Sequence, residues 1–242
     1  MGGYQEVFKR REVKYLLTPA QYAAFEPVLL QHMRGDQYGL HTISNIYYDT
    51  DDYALIRASL EKPVYKEKLR LRGYGALTPD ATAFAEIKKK YKGIVYKRRA
   101  AIRLREAEIF LETGLIREPK TQILEELAYF TRIHPVKPKV ALSYDRVAMF
   151  DPSDPRVRVT FDKNIRFRET ELSLALGDAG RLILPPDQTL MELKIDNAMP
   201  LWLARALSEC SIFPTSFSKY GRCYTQFILN KHFTGGATID VA

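Results

Sequence analysis

Apolar and polar residues alternate along much of this chain, the period-2 pattern of strands with one buried face. The alternation predicts strands at Phe8 to Leu17, Thr42 to Tyr48, Tyr65 to Tyr74, Ala83 to Tyr91, Ile94 to about Arg105, Val140 to Phe150, Arg156 to Arg168 and Thr189 to Ile195, with a turn at Gly93. Thr18 as N-cap and Pro19 at the first helical position open a helix through Phe25 and Leu29 to about Gln31. Asp51 or Asp52 is placed to cap a short helix carrying Tyr53, Leu55, Ile56 and Leu60. A helix at Glu106 to Glu112 stops at Gly114, and Ile123, Leu124, Leu127, Phe130 and Ile133 make an amphipathic helix of Pro119 to Ile133. Pro200 starts a helix to about Cys210, Ser218 caps a last one to about Leu229, and the tail 234–242 reads as frayed. The stretch 177–187 reads as loop. With no repeat and no long linker, residues 1–242 read as one α+β domain.

The charges change this picture. On strand after strand one face is cationic. Lys66, Lys68, Arg70 and Arg72 share a face, with Leu69 and Leu71 opposite. Lys88 and Lys90 lie with Glu86, opposite Ile87; Lys97, Arg99, Arg103 and Arg105 share a parity, as do Arg156 and Arg158. Arg10, Glu12 and Lys14 share a face, and Lys194 lies with Glu192. Taken singly, each is a solvated basic face. Taken together they conflict, because like charges opposite each other on neighbouring strands are destabilising. If the apolar faces pack on helices, the cationic faces line something else, and a barrel with a polar lumen does this. About eight strands give a lumen wide enough for one slim ligand. Each uncompensated buried ion costs several kcal/mol, so such a lumen calls for water, counter-ions or a polyanion. A chain of phosphates fits, since Arg and Lys are natural phosphate ligands. Glu192 and Glu12 share the inward parity; they either relieve repulsion as ion pairs or hold Mg²⁺ or Mn²⁺.

Composition narrows the field. The 242 residues are 46% hydrophobic and 27% charged, which excludes long disorder, and the net charge of +8 favours an anionic partner. Two cysteines make neither a disulfide framework nor a zinc set; both read as fillers in a reducing compartment. No run reaches the roughly 18 apolar residues of a membrane span, and the start lacks a secretory apolar region, so the expected location is cytoplasmic, with no direct membrane span. The sequence has neither a P-loop nor a dinucleotide fingerprint. His32, His41, His134 and His232 form no metal motif and read as structural or exposed. No nucleic-acid signature is present, so no nucleic-acid partner is expected. Lys62, Lys89, Lys120, Lys137 and Lys139 read as solvated surface charges.

An ordered set of segments carries a family resemblance: Glu12-Val13-Lys14-Tyr15, Ile46-Tyr47-Tyr48-Asp49-Thr50, Lys68-Leu69-Arg70-Leu71-Arg72, Glu86-Ile87-Lys88, Tyr144-Asp145-Arg146, Val157-Arg158-Val159-Thr160-Phe161-Asp162, Met191-Glu192-Leu193-Lys194 and Phe217-Ser218-Lys219-Tyr220. Over about residues 5–230 the chain resembles the polyphosphate polymerase domain of the vacuolar transporter chaperone (VTC) complex, in the triphosphate tunnel metalloenzyme superfamily. The resemblance implies an eight-stranded antiparallel β-barrel with helices packed outside. It implies an enzyme moving the γ-phosphoryl group of ATP onto inorganic polyphosphate with Mn²⁺ or Mg²⁺. By it, Lys14, Arg70, Arg72, Lys88, Arg146, Arg158 and Lys219 are catalytic phosphate ligands, joined by Lys97 (or Arg98 or Arg99), Lys194 and Ser218. Glu192, with Glu12, would hold the metal. Hydrolysis of triphosphate by the same fold, and a polyphosphate-binding module without turnover, are the alternatives. The superfamily's Glu-x-Glu-x-Lys strand is altered here, with Arg10 at the first Glu position, which leans toward polymerase-like binding.

Overall fold

The computed structural model describes residues 7–8, 11–92, 94–115, 121–196 and 198–233. The Gly93 turn, Arg10, Pro119, Lys120 and the 234–242 tail lie outside the described residues, as does the His232 side chain.

Among the described residues eleven strands form one antiparallel sheet. They are β1 (Val7–Phe8), β2 (Arg11–Leu17), β3 (Arg34–Gly35), β4 (His41–Asp49), β5 (Tyr65–Tyr74), β6 (Thr82–Tyr91), β7 (Ile94–Arg103), β8 (Lys137–Phe150), β9 (Arg158–Arg168), β10 (Arg181–Leu182) and β11 (Thr189–Ile195). The main path runs β1-β7-β6-β5-β4-β8-β9-β11-β2, with β3 on β8 and β10 on β9. This corrects the expected closed eight-stranded barrel. The hydrogen-bonded order has two ends, β1 and β2, which are successive segments of the chain. The sheet nevertheless curls until β2, at one end, faces β6, near the other: Glu12 on β2 and Lys88 on β6 are 3.1 Å apart.

The described residues hold seven α-helices: α1 (Pro19–His32), α2 (Ala54–Leu60), α3 (Leu104–Thr113), α4 (Gln122–Ile133), α5 (Leu201–Glu209), α6 (Lys219–Cys223) and α7 (Leu229–Phe233), the last two joined by a π turn, Tyr224–Ile228. Thr18 caps α1 as read, in a reciprocal box with Gln21. The cap of α2 is a correction. Neither Asp51 nor Asp52 supplies it; the buried Asp49 carboxylate accepts from the Leu55 and Ile56 amides and from the Tyr220 hydroxyl. Two strand ends are also corrected. β7 stops at Arg103, so exposed Arg105 lies in α3 against Asp80, and Arg156 pairs with Asp154 in the loop before β9. Residues 181–182 of the expected loop form β10.

Two cores lie on the outer side of the sheet. Leu69, Leu71 and Ile87 pack under α3 and α4 with Leu104, Phe110, Leu127 and Phe130. Tyr15, Val159 and Leu193 pack under α1 and α5 with Phe25, Leu29 and Leu203. Each buried side chain of this size contributes roughly 1.5–3 kcal/mol. A third core modifies the expectation that helices pack only outside and that the inner face is charged throughout. Leu190 shares the parity of Glu192 and Lys194, yet it joins Tyr47, Leu142, Ile56, Tyr220 and Tyr224 in an apolar plug. Thus α2 and α6 stop the inner side of the curl, and close approach needs Gly221, where a Cβ would meet Leu60 and Ser218.

Candidate phosphate-binding cavity

Inside the curl, period-2 geometry stacks charged side chains in rows, and the register decides which meet. Lys14 on β2 is opposite Glu192 on β11, and Glu12 is opposite Lys194. Opposite charges therefore alternate in a two-by-two block, the favourable cross-strand arrangement. On β5 and β6, Arg70 is opposite Glu86. On β8 and β9, Arg146 is opposite Asp162.

Carboxylates are the organising points. Glu86, 1% exposed, holds Arg70 at 2.8 Å and Lys97 at 2.6 Å, with Arg72 at 3.8 Å. Burial acts to raise its pKa, but these cations win and hold it well below the carboxylate range. Asp162 is fully buried; it accepts two hydrogen bonds from Arg146, at 2.6 and 2.7 Å, and lies 2.5 Å from Lys219. Glu192 meets Lys219 at 3.1 Å, Lys14 at 3.5 Å and Arg146 at 3.6 Å. Strand parity alone gives Glu86 and Asp162 no role, although each shares its parity with cations assigned one.

Other side chains complete the wall. Arg72 donates to Asn45 and to the Tyr144 hydroxyl, and Lys219 and Arg146 lie over the Tyr144 ring at 4.5 and 5.0 Å. Burial raises the Tyr144 pKa, but Arg72, Arg146 and Lys219 bring it down to about 8. Tyr47 receives a hydrogen bond from Arg70 and stacks on Tyr220. Sequence reasoning missed both tyrosines as wall residues. Ser218 caps α6 and accepts from Lys68 at 3.0 Å. Lys68 is held down to about 7, by burial first and then by Lys14 and Lys88. Burial also brings Lys97 and Lys194 down to about 8.

The resulting inner cavity is about 290 Å³ and is lined by Glu12, Lys14, Arg70, Arg72, Lys88, Lys97, Arg146, Glu192, Lys194, Ser218 and Lys219 among others. It shares Lys14, Lys68, Lys88 and Ser218 with an outer cavity of about 730 Å³. All the sequence-derived candidates but one thus come together. Arg158 sits opposite Lys194 on β9 but lines neither cavity. The Lys97 register is resolved by Glu86; Arg98 points to Glu126 under α4, and Arg99 lies over Phe84.

Glu12 and Glu192 are the carboxylates that line the inner cavity. No group of three or more His, Cys, Asp or Glu converges among the described residues. These two fit a hard divalent ion only where phosphate or water oxygens complete its shell. The remaining candidates are structural. His32 stacks on Trp202, His134 lies 3.6 Å from Glu67, and His41 bonds the Gly39 carbonyl. Cys223 is buried and Cys210 half-buried. Of the lysines read as solvated, Lys89 is instead pinned between Glu126 and Glu67, Lys139 lies over the Tyr53 ring, Lys137 pairs with Asp51, and Lys62 lines the outer cavity.

Comparison with known proteins agrees with this arrangement. The chain is 26% identical over 198 residues to vacuolar transporter chaperone complex subunit 4 of Schizosaccharomyces pombe; the match covers 68% of this chain and 27% of that protein. A putative adenylate cyclase from Vibrio parahaemolyticus superposes with a TM-score of 0.52 at 16% identity, covering 90% of this chain and 98% of that one. A putative adenylyl cyclase from Hippeastrum, described as having a dominant triphosphatase activity, gives 0.50 at 15% identity, with 89% and 93% covered. These two structures share the fold. No helix among the described residues is long and apolar enough to cross a membrane. Residues 9–228 match the VTC domain, and the chain belongs to that family.

Proposed function

We propose that this chain is a metal-dependent phosphotransferase that moves the γ-phosphoryl group of ATP onto inorganic polyphosphate. One observation carries the reading: nine cationic side chains and two carboxylates surround a single cavity of about 290 Å³. That excess calls for a ligand with several negative charges in a compact, linear array. Membership of the VTC family and the likeness to subunit 4 of the yeast complex support polyphosphate as the acceptor.

The chemistry is electrostatic. Arg70, Arg72 and Lys97, fixed by Glu86, form one cationic wall, and Arg146 and Lys219, fixed by Asp162, form another. Because buried carboxylates hold these side chains in place, little reorganisation is needed when phosphate charge arrives. Lys14, Lys88 and Lys194 complete the ring, with Ser218 at its edge. The chain's terminal phosphate is already a competent nucleophile, so no side chain has to remove a proton; positioning and charge stabilisation suffice. Glu192 and Glu12 would hold Mn²⁺ or Mg²⁺, which when bound adds positive charge on the transferring phosphoryl group. The reaction is placed in the cytoplasm, where ATP is supplied.

Triphosphate hydrolysis is the second reading. It is favoured by the wide outer cavity, through which water reaches the same residues, and by the activity described for the Hippeastrum protein. One experiment separates the outcomes. The protein is incubated with γ-labelled ATP and Mn²⁺, and products are resolved on a gel. A ladder of phosphate chains with release of ADP supports the transferase. Free phosphate without a ladder supports the hydrolase. Triphosphate binding with neither product leaves a binding module.

A further inference from the structure

The outer cavity has a charge arrangement of its own. Its lining holds seven cationic side chains and one carboxylate, Glu12. Four of the cations come from one patch of sheet. Lys66 is directly opposite Lys90, and Lys68 directly opposite Lys88. Alternate residues share a face, so all four side chains rise from one side of the sheet, their Cα atoms on a rectangle of roughly 5 by 7 Å. Two successive like-charge pairs are the arrangement that a sheet avoids. Their local partners do not cancel the charge: Lys66 donates to the Ser59 carbonyl and Lys68 to the Ser218 hydroxyl, both neutral, while Lys88 meets Glu12.

We propose that this lysine square is a second anion subsite, for the body of a linear inorganic phosphate chain, and that Lys66 and Lys90 set the preference for long chains over triphosphate. The square opens directly onto the inner cavity, because Lys68 and Lys88 line both. A chain whose end lies among Arg70, Arg146 and Lys219 therefore passes over it. Among the described residues Phe217 is the one aromatic side chain of the outer lining, whose polar groups are ammonium, guanidinium, hydroxyl and the Glu12 carboxylate and whose apolar ones are small aliphatics such as Val13 and Leu60. Single-stranded nucleic acids gain affinity from base stacking on aromatic platforms, so this lining favours bare phosphate over nucleotides. The inference rests on the proposed reading that the inner cavity takes the chain end.

Isothermal titration of the parent protein and of Lys66→Gln/Lys90→Gln, with triphosphate and with long-chain polyphosphate, tests it. Neither residue lines the inner cavity. Losing each charged hydrogen-bond donor is expected to weaken long-chain binding roughly tenfold. The dependence of log K on log salt should flatten by about 0.7 per lysine. Triphosphate affinity should stay within about twofold, well under the tenfold step of 1.4 kcal/mol. If the double variant fails to fold, Lys90→Gln alone, at an exposed position, gives the same comparison. Equal losses for both ligands, unchanged long-chain binding, or an oligothymidylate bound as tightly as polyphosphate would each overturn the subsite. A parent protein that does not bind triphosphate at all would instead remove the proposed function.

Discussion

Arg146 and Asp162 lie directly opposite each other on β8 and β9, joined by two hydrogen bonds of 2.6 and 2.7 Å around a carboxylate that has no exposure to solvent. The same carboxylate holds Lys219. Asp162 therefore fixes, from behind, two cations that face the cavity. Removing one partner of a buried pair leaves the other charges uncompensated, at a cost on the order of 3–5 kcal/mol. Asp162→Asn is expected to lose about that much in urea denaturation. Triphosphate should restore part of the loss, since its charge can replace the missing carboxylate. A variant as stable as the parent would show that Asp162 does not organise the wall.

Glu192 is surrounded by Lys219, Lys14 and Arg146, but unlike Asp162 it lines the cavity. Glu192→Gln removes one of the two carboxylates facing the ligand. Turnover is expected to fall by at least about tenfold, or 1.4 kcal/mol of transition-state stabilisation, while triphosphate binds as tightly or more tightly. Steady-state kinetics and titration calorimetry on the same preparation check this. Full metal-dependent activity in the variant would exclude a metal role for this residue.

Arg158 separates resemblance from geometry. It belongs to a motif that implies a phosphate ligand, yet it lines neither cavity. A peripheral charge contributes at most about 1 kcal/mol, close to fivefold. Arg158→Ala should therefore change kcat/KM by less than that, and Arg146→Ala by considerably more. Equal losses in the two variants would place Arg158 on the ligand.

Three lysines make ligand binding depend on pH. Burial, with neighbouring cations, brings Lys68 down to about 7 and Lys97 and Lys194 to about 8. These folded-state values lie below the ordinary lysine value of 10.5. Above about pH 7 the unfolded chain thus holds more protons than the folded one, and ligand-free stability rises with pH toward the ordinary lysine value. An anion favours the charged form, so triphosphate binding should take up protons near pH 8 and weaken from about pH 7 to pH 9. Calorimetry in two buffers of different ionisation enthalpy measures the proton uptake. Identical heats in both would contradict it.

A cavity so crowded with cations should also report its ligand through stability. Triphosphate at about 100 times its dissociation constant is expected to add about 2.7 kcal/mol to unfolding and to raise Tm. A Tm indifferent to triphosphate at such concentrations argues against a polyanion site.

Much of this architecture is written locally in the chain. Alternation alone identified the major strands, because a strand sends successive side chains to opposite faces whatever its neighbours are. It also put Lys14, Arg70, Arg72, Lys88, Lys97 and Glu192 on one side of the sheet, where the structure gathers them. Thr18 and Gln21 mark the start of α1 for the same reason: a cap is satisfied within three residues.

The rest depended on register between distant strands, which no local period encodes. Glu86 shares a parity with Lys88, but only the pairing of β6 with β5 and β7 places it opposite Arg70 and within diagonal reach of Lys97. Asp162 becomes the anchor of Arg146 after the irregularity between Ser143 and Asp145 sets the final register of β8 on β9. The apolar plug of Leu190 and Tyr220 joins residues on separate elements, so the charged cleft could not be seen to end there. Arg158 has the right parity and the wrong position along the strand. The sequence alone determined which side chains of a strand share a face, because that period is local; tertiary pairing decided which of them reach the cavity, which charges cancel, which stay available to a ligand, and where the sheet stops.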